Sequence, residues 1–158
     1  MNRLVIRPMH EADIEPVATL MLGNWDGVLA EYHAPELVAG YRAQVSPDWL
    51  RGGMERKRVF VVERDGEVVA TGALADFGTP EEPMPVVSAF FVRADLHRQG
   101  IGRRLLEHLI ALAVADGEAA LHVPSSRNAV PFYEAAGFAA DAEQPDSADE
   151  ITWMTKRL

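Results

Sequence analysis

The sequence predicts an α/β (α+β) fold, a single domain in which helices flank a mixed sheet. Three observations carry that prediction. Val59-Phe60-Val61-Val62-Glu63-Arg64 and the segment Glu67 to Leu74 flank Asp65-Gly66, and Asp-Gly supplies the positive φ angles of a two-residue hairpin turn, so these strands are antiparallel neighbours. From Val86 onward strand-like and helix-like segments alternate, the order that lays strands parallel across an intervening helix. The chain has 158 residues, enough for one real core and too few for two independent ones.

The elements follow in order. Leu4-Val5-Ile6-Arg7, closed by Pro8, is a first strand, and Glu11 to Leu22 carries Ile14, Val17, Ala18, Met21 and Leu22 at helical spacing. A helix is predicted over Pro35 to Gln44, and Ser46-Pro47 opens another as an N-cap and first-turn pair. After the hairpin comes a proline-rich loop, Gly78 to Pro85, and then Val86 to Val92, apolar enough to be a central strand. Arg93 to Gln99 turns the chain. The helix from Ile101 to about Asp116 puts Ile101, Leu105, Leu109 and Leu112 on one stripe with Leu106 and Ile110 beside it, and Gly117 is placed as its C-cap glycine. Ala119 to Val123 is another strand, Asn128 caps a short helix through Ala136 that Gly137 ends, and Glu150 to Arg157 is the last strand.

Composition removes several classes of function. With 48% hydrophobic and 25% charged residues the chain is neither disordered nor a membrane protein, since no apolar stretch approaches the roughly 20 residues that cross a bilayer. The first seven residues lack the apolar core of a signal peptide, so a cytoplasmic location is expected. No cysteine is present, which leaves catalysis to oxygen and nitrogen groups. A formal charge of −9 argues against a nucleic acid partner, because polyanion binding relies on Lys and Arg. The clearest basic cluster is His97, Arg98, Arg103 and Arg104. No metal site is expected: His10-Glu11 begins a zincin-like pattern, but Ile14 stands where the second histidine belongs.

The segment that carries chemistry is the order strand, turn, Gln99-Gly100-Ile101-Gly102, amphipathic helix. Glycines let the backbone come close to a ligand, and the free N–H groups and positive dipole end of the helix point at an anion such as a pyrophosphate. Arg98, Arg103 and Arg104 can add charge-assisted contacts, with at least one of them turned to solvent. Alone, Gly-x-Gly also serves a plain strand-to-helix turn. A Walker motif is absent, and the dinucleotide fingerprint needs a glycine where Leu105 stands.

Val92-x-x-x-x-x-Arg98-Gln99-Gly100-Ile101-Gly102-Arg103-x-Leu105-Leu106 resembles the acetyl-CoA signature of the GNAT superfamily of acyl-CoA-dependent N-acetyltransferases, and Ala129-Val130-Pro131-Phe132-Tyr133-Glu134-Ala135-Ala136-Gly137-Phe138 resembles that family's next motif. The resemblance covers about Val86 to Phe138. It implies a largely antiparallel mixed sheet with a parallel central strand pair and about four flanking helices, binding acetyl-CoA as cosubstrate. It further implies that the backbone at Phe91 and Val92 pairs with the pantetheine arm, that the amides from Arg98 through Gln99, Gly100, Ile101 and Gly102 to Arg103 hold the pyrophosphate, and that Tyr133 is the general acid. A phenol with ordinary pKa near 10 can protonate a leaving thiolate. Three positions depart from the pattern: His97 where Arg or Gln is usual, Ala94 where Pro is common, and Ser126 where Asn is frequent, with Asn128 two residues on. Either of the last two can bond the CoA arm, or Asn128 can cap its helix, the reading favoured by its position.

The base that takes the acceptor's proton is less legible. Many relatives carry a Glu on the strand assigned to Val86 to Val92, which here offers only Ser88. His122, on the adjacent strand, has a side chain suited to the task; Asp76 and Glu31 are weaker candidates, and a chain of waters is the alternative. Asp26, Glu31, Trp25, Tyr32 and His33 can form an acidic, aromatic lining for a cationic amine or serve as surface and core. The expected function is transfer of acetyl from acetyl-CoA to a primary amine of a small molecule, with a protein or peptide acceptor second. A non-catalytic acyl-CoA-binding or sensory module, or a binder of another nucleotide, is the competing class. An exposed sheet edge or the last strand would be the route to a homodimer.

Overall fold

A computed structural model of the chain describes residues 3–144 and 150–158. Seven strands form one sheet: β1 (Leu4–Pro8), β2 (Arg58–Arg64), β3 (Glu67–Asp76), β4 (Pro85–Val92), β5 (Ala120–Ser125), β6 (Ala139–Ala140) and β7 (Thr152–Arg157), in the order β1-β2-β3-β4-β5-β7-β6. All neighbours are antiparallel except β4 and β5, which run parallel with Val86 opposite His122. The described helices are α1 (Ile14–Asp26), α2 (Pro35–Gln44), α3 (Pro47–Arg56), α4 (Ile101–Ala115) and α5 (Val130–Ala135). The fold is therefore the mixed, largely antiparallel sheet with a parallel central pair, flanked by five helices where about four were expected.

The hairpin turns at Asp65 and Gly66 with φ of 53° and 81°, the paired positive angles of the tight turn read from Asp-Gly. On one face α1 and α3 pack Ile14, Val17, Met21 and Leu50 against Val61 and Phe91. On the other, α4 buries Ile101, Leu105, Leu106, Leu109 and Ala113 over Val62, Val69, Leu74, Val87 and Leu121; the predicted stripe holds at its first positions, while at its end Ala113 is buried and Leu112, like Ile110, is half-buried. This packing fixes the axis of α4 so that its N-terminus lies beyond the end of β4.

Three expectations change. The last strand is not an edge: β7 is paired on both sides, by β5 and by β6, a two-residue strand too short to leave a sequence signal, so the sheet's edges are β1 and β6. Asn128 does not cap a helix. It lies inside a single 3-10 turn, Arg127–Ala129, that Ser126 opens, and its Oδ1 accepts a hydrogen bond from the Ser126 hydroxyl at 2.8 Å. Glu150, assigned by sequence to the last strand, precedes it with φ of 60°.

Candidate active site

Strand β4 bulges at its middle. Thr71 faces Phe91 and Ala73 faces Ser88, so Ala89 and Phe90 together oppose Gly72, and Ala89 takes φ of 49°, the signature of an inserted residue that redirects a strand. Beyond the Val86–His122 pair the two parallel strands line opposite walls of a cleft of about 670 Å³. Ser88 through Val92 form one wall; Val123, Pro124, Ser126, Asn128 and the α5 residues Phe132 and Tyr133 form the other. An interrupted parallel ladder leaves main-chain groups of β4 available to a bound ligand.

At one end of the cleft stands the start of α4. Arg98 has φ of 66° and Gly100 φ of 82°, and alternation of left-handed residues in a turn aims successive N–H groups into a concave anion site. The helix's first N–H groups have no intrahelical acceptor and add the positive end of its dipole. A Cβ on Gly102 would stand 3.2 Å from Val92 Cγ2 and 3.3 Å from Phe132 Cζ, so glycine keeps this end of the cleft open. Arg98, Gly100, Gly102 and Arg103 line the cleft, as do Phe91, Val92 and Asn128. Gln99 and Ile101 do not: Gln99 Oε1 accepts from Arg64 Nη1 at 3.1 Å on the surface, and the Ile101 side chain is in the core, leaving only their backbone to serve a ligand. Arg104 is exposed.

Val92 is held by residues that the sequence did not mark for this. Its carbonyl accepts from the Asn24 amide at 2.8 Å and stands 2.8 Å from His97 Nε2. Asn24 is buried on the apolar stripe of α1 and also bonds the Leu20 carbonyl. An asparagine in register with Ile14, Val17 and Met21 was the available signal, lost because the predicted helix stopped at Leu22. His97, at the position where the family pattern has Arg or Gln, serves the strand end.

Tyr133 is 4% exposed and lines the cleft. Phe90, Phe132 and Phe138 surround its ring with centroids 5.1–6.2 Å away. Burial pushes its phenol above the ordinary value of 10, because an apolar site penalises the phenolate. The hydroxyl is therefore kept protonated, the state of an acid.

His122 is half-buried on β5, one pleat repeat from Pro124, and is not among the lining residues. Its Nδ1 stands 3.0 Å from Thr155 Oγ1, whose proton goes to Asp141 Oδ1 at 2.6 Å. The threonine hydroxyl has one proton and spends it on Asp141, so Nδ1–H donates and Nε2 is the nitrogen left to accept a proton. Asp76 is elsewhere: its Oδ1 accepts from the Gly78 and Met84 amides and closes the proline-rich loop.

The acidic lining read from the first helices is not present. Trp25, Tyr32 and His33 line the cleft, but Asp26 pairs with Arg42 at 2.7 Å on the surface and Glu31 is exposed. Trp25 stacks on Tyr41 at 4.7 Å, forming an aromatic wall. His33 Nδ1 stands 3.0 Å from Glu150 Oε2, and Glu150 also takes the Ala34 amide and pairs with Arg127. The bond to His33 holds the Glu150 carboxyl below its ordinary range. Among the described residues no group of three His, Asp or Glu side chains could hold a metal ion, and no helix is long and apolar enough to cross a membrane.

Comparison with solved structures finds this architecture in proteins of low identity. The PaiA N-acetyltransferase of Thermoplasma acidophilum, solved in complex with coenzyme A, superposes with a TM-score of 0.82 at 16% identity over 99% of each chain. A GCN5-related N-acetyltransferase from Rhodopseudomonas palustris gives 0.82 at 20% identity over 100% of this chain and 98% of its own. N-acetylglutamate synthase from Neisseria gonorrhoeae, complexed with coenzyme A and N-acetyl-glutamate, gives 0.74 at 21% identity over 99% of this chain and 35% of its own. These likenesses establish the fold. No curated protein matches the chain significantly. The family model described as an acetyltransferase (GNAT) domain matches residues 29–158, a span that includes both walls of the cleft and the start of α4, and the chain belongs to that family.

Proposed function

We propose that the protein transfers an acetyl group from acetyl-CoA to a primary amine of a small molecule by direct attack. The observation that carries this reading is the convergence on one cleft of the anion-binding start of α4, the bulged strand β4 and the buried hydroxyl-bearing Tyr133. In the reaction the amine nitrogen attacks the thioester carbonyl, the C–N bond forms and the C–S bond breaks. The departing sulfur takes the proton of the Tyr133 hydroxyl. The nitrogen's surplus proton leaves through water to His122 Nε2 at the edge of the cleft. The amides from Arg98 to Arg103, with the Arg98 and Arg103 guanidiniums, are assigned to the pyrophosphate, the backbone of Phe91 and Val92 to the pantetheine arm, and Asn128 to the opposite side of that arm. Fit supports the assignment: the described lining contains Arg98 and Arg103 and no carboxylate, although the chain as a whole carries −9, so a polyanion meets no repulsion inside.

The same lack of a lining carboxylate favours a second reading, a module that binds acyl-CoA without turning it over. A thiol-release assay with purified protein, acetyl-CoA and a broad panel of amines separates the two. Turnover with at least one amine is expected; specific binding of CoA with no turnover across the panel would establish the second reading. Thermal stabilisation by ATP or NAD equal to that by CoA would remove both.

A further inference from the structure

We infer that the acceptor amine also bears a carboxylate, and that Lys57 is the residue that recognises it; the inference rests on the acetyl-transfer reading above. Lys57 follows α3 and reaches the cleft opposite the bulge, where its Nζ donates to Ser88 Oγ at 2.9 Å. Lys57 meets β4 at Ser88, whereas Gly102 at the start of α4 packs beside Val92; Ser88 and Val92 are four residues apart, about 10 Å at a strand rise of roughly 3.3 Å per residue once the bulge is discounted. Two positive regions therefore flank the second half of β4, with Ala89 to Phe91 between them. Arg98 and Arg103 account for a pyrophosphate at one end. Lys57 is too far along β4 to share that role.

Among the described residues no carboxylate neutralises Lys57. No ion pair joins it to a carboxylate among the described residues, and no Asp or Glu is in the described lining of the cleft. Two acidic side chains adjoining lining residues of the cleft are already engaged, Glu150 with His33 and Arg127 and Asp26 with Arg42. A half-buried ammonium held only by a hydroxyl is poorly solvated and lacks a counter-charge, and burial together with Arg56 draws it below its ordinary pKa. A bound anion removes both penalties at once.

The remaining walls describe the rest of the acceptor. Trp25 and Tyr41, stacked on each other with Trp25 edge-on to Phe91, and Trp49 also line the cleft, and their rings offer apolar area and π faces. A cationic amine without an anionic group would meet Lys57 as a like charge. The ligand class that fits is an amino acid or related amino-carboxylate, and an apolar or aromatic side chain suits the Trp25–Tyr41–Trp49 wall.

The test uses matched acceptors that differ only in the carboxylate: L-phenylalanine, L-phenylalaninamide and phenethylamine, with the corresponding leucine and tryptophan sets. CoA release is followed for wild type, Lys57→Met and Lys57→Arg, and the affinity of each for CoA is measured by calorimetry. Wild type is expected to favour the free acid by at least about tenfold in kcat/KM, Lys57→Met to lose most of that preference with CoA affinity unchanged, and Lys57→Arg to keep part of it. Amides or decarboxylated amines used as well as the free acids would overturn the inference while leaving acetyl transfer standing. A Lys57→Met variant that slows every acceptor equally would also overturn it, assigning Lys57 to the thioester instead. Absence of turnover with every amine would remove the acetyl-transfer reading and this inference with it.

Discussion

Phe90 lies over Gly72 so closely that a Cβ added at Gly72 would stand 2.9 Å from the Phe90 ring. The contact is made at the bulge, and Phe90 in turn touches Phe132 and Tyr133, with centroids at 5.7 and 6.2 Å. A backbone position in the middle of β3 is thus connected to the cleft through one aromatic ring.

Gly72→Ala should therefore impair turnover by more than its effect on folding suggests. Leu105 and Leu109 also stand within 3.4 Å of the added methyl, so overpacking is expected to cost about 1–3 kcal/mol, read from urea denaturation. Displacement of Phe90 toward Tyr133 should lower kcat by tenfold or more under conditions where the variant remains folded. Wild-type kcat in a folded Gly72→Ala protein would show that the ring and the cleft are independent.

Tyr133→Phe keeps the ring that packs on Phe90, Phe132 and Phe138 and removes only the hydroxyl. Turnover should fall by roughly ten to a thousandfold with CoA affinity unchanged. A parallel loss of CoA affinity would point to a packing role. His122→Gln is expected to have a smaller effect than Tyr133→Phe, because His122 stands outside the lining and exchanges protons through water; its readout is a fall in kcat/KM with CoA affinity unchanged.

The sequence was most informative where one kind of physics decided the outcome. The stripe on α4, the Asp-Gly turn and Gly100-x-Gly102 each follow from a local rule, and each appears in the structure at the expected place. The α1 helix runs on to Asp26 because Asn24, a weak helix former, is held from outside by Val92. Asn128 looked like a cap because its residue type suits one, but Ser126 two positions earlier already opens the turn. Lys57 left no signal at all: its significance lies in what is missing from the cleft around it, and that becomes visible only when the lining is assembled from six separate segments.

Gly102→Val tests the anion site at the other end. With a Cβ already 3.2 Å from Val92 and 3.3 Å from Phe132, the branched side chain has to enter the space between α4 and the β4 wall. Affinity for CoA should fall by at least about tenfold, while α4 itself survives because valine is a better helix former than the glycine it replaces. Unchanged CoA affinity by calorimetry would place the pyrophosphate elsewhere.

Asp13 gives a prediction about pH that is independent of the cleft. Its carboxylate takes Arg7 Nη1 at 2.7 Å and Nη2 at 2.9 Å, and the His10 amide at 2.7 Å, and the Arg7 bonds foremost hold its pKa below the ordinary 3.8. A depressed folded-state pKa means that the unfolded chain binds the proton first as pH falls. The stabilisation is therefore complete above the ordinary carboxylate value and is lost progressively as pH drops below 3.8 toward the folded value, at about 1.4 kcal/mol for each unit of separation. Asp13→Asn should destabilise the protein at neutral pH by about 1–3 kcal/mol, since among the described carboxylates Arg7 then keeps Glu63 alone, and should flatten the dependence of stability on pH in the acid range. Urea denaturation of both proteins across a pH series measures the two slopes. Parallel slopes would mean that the pairing of Asp13 with Arg7 does not differ between folded and unfolded chains, and the tie between β1 and the start of α1 would then rest on apolar packing of Met9 and Ile14 alone.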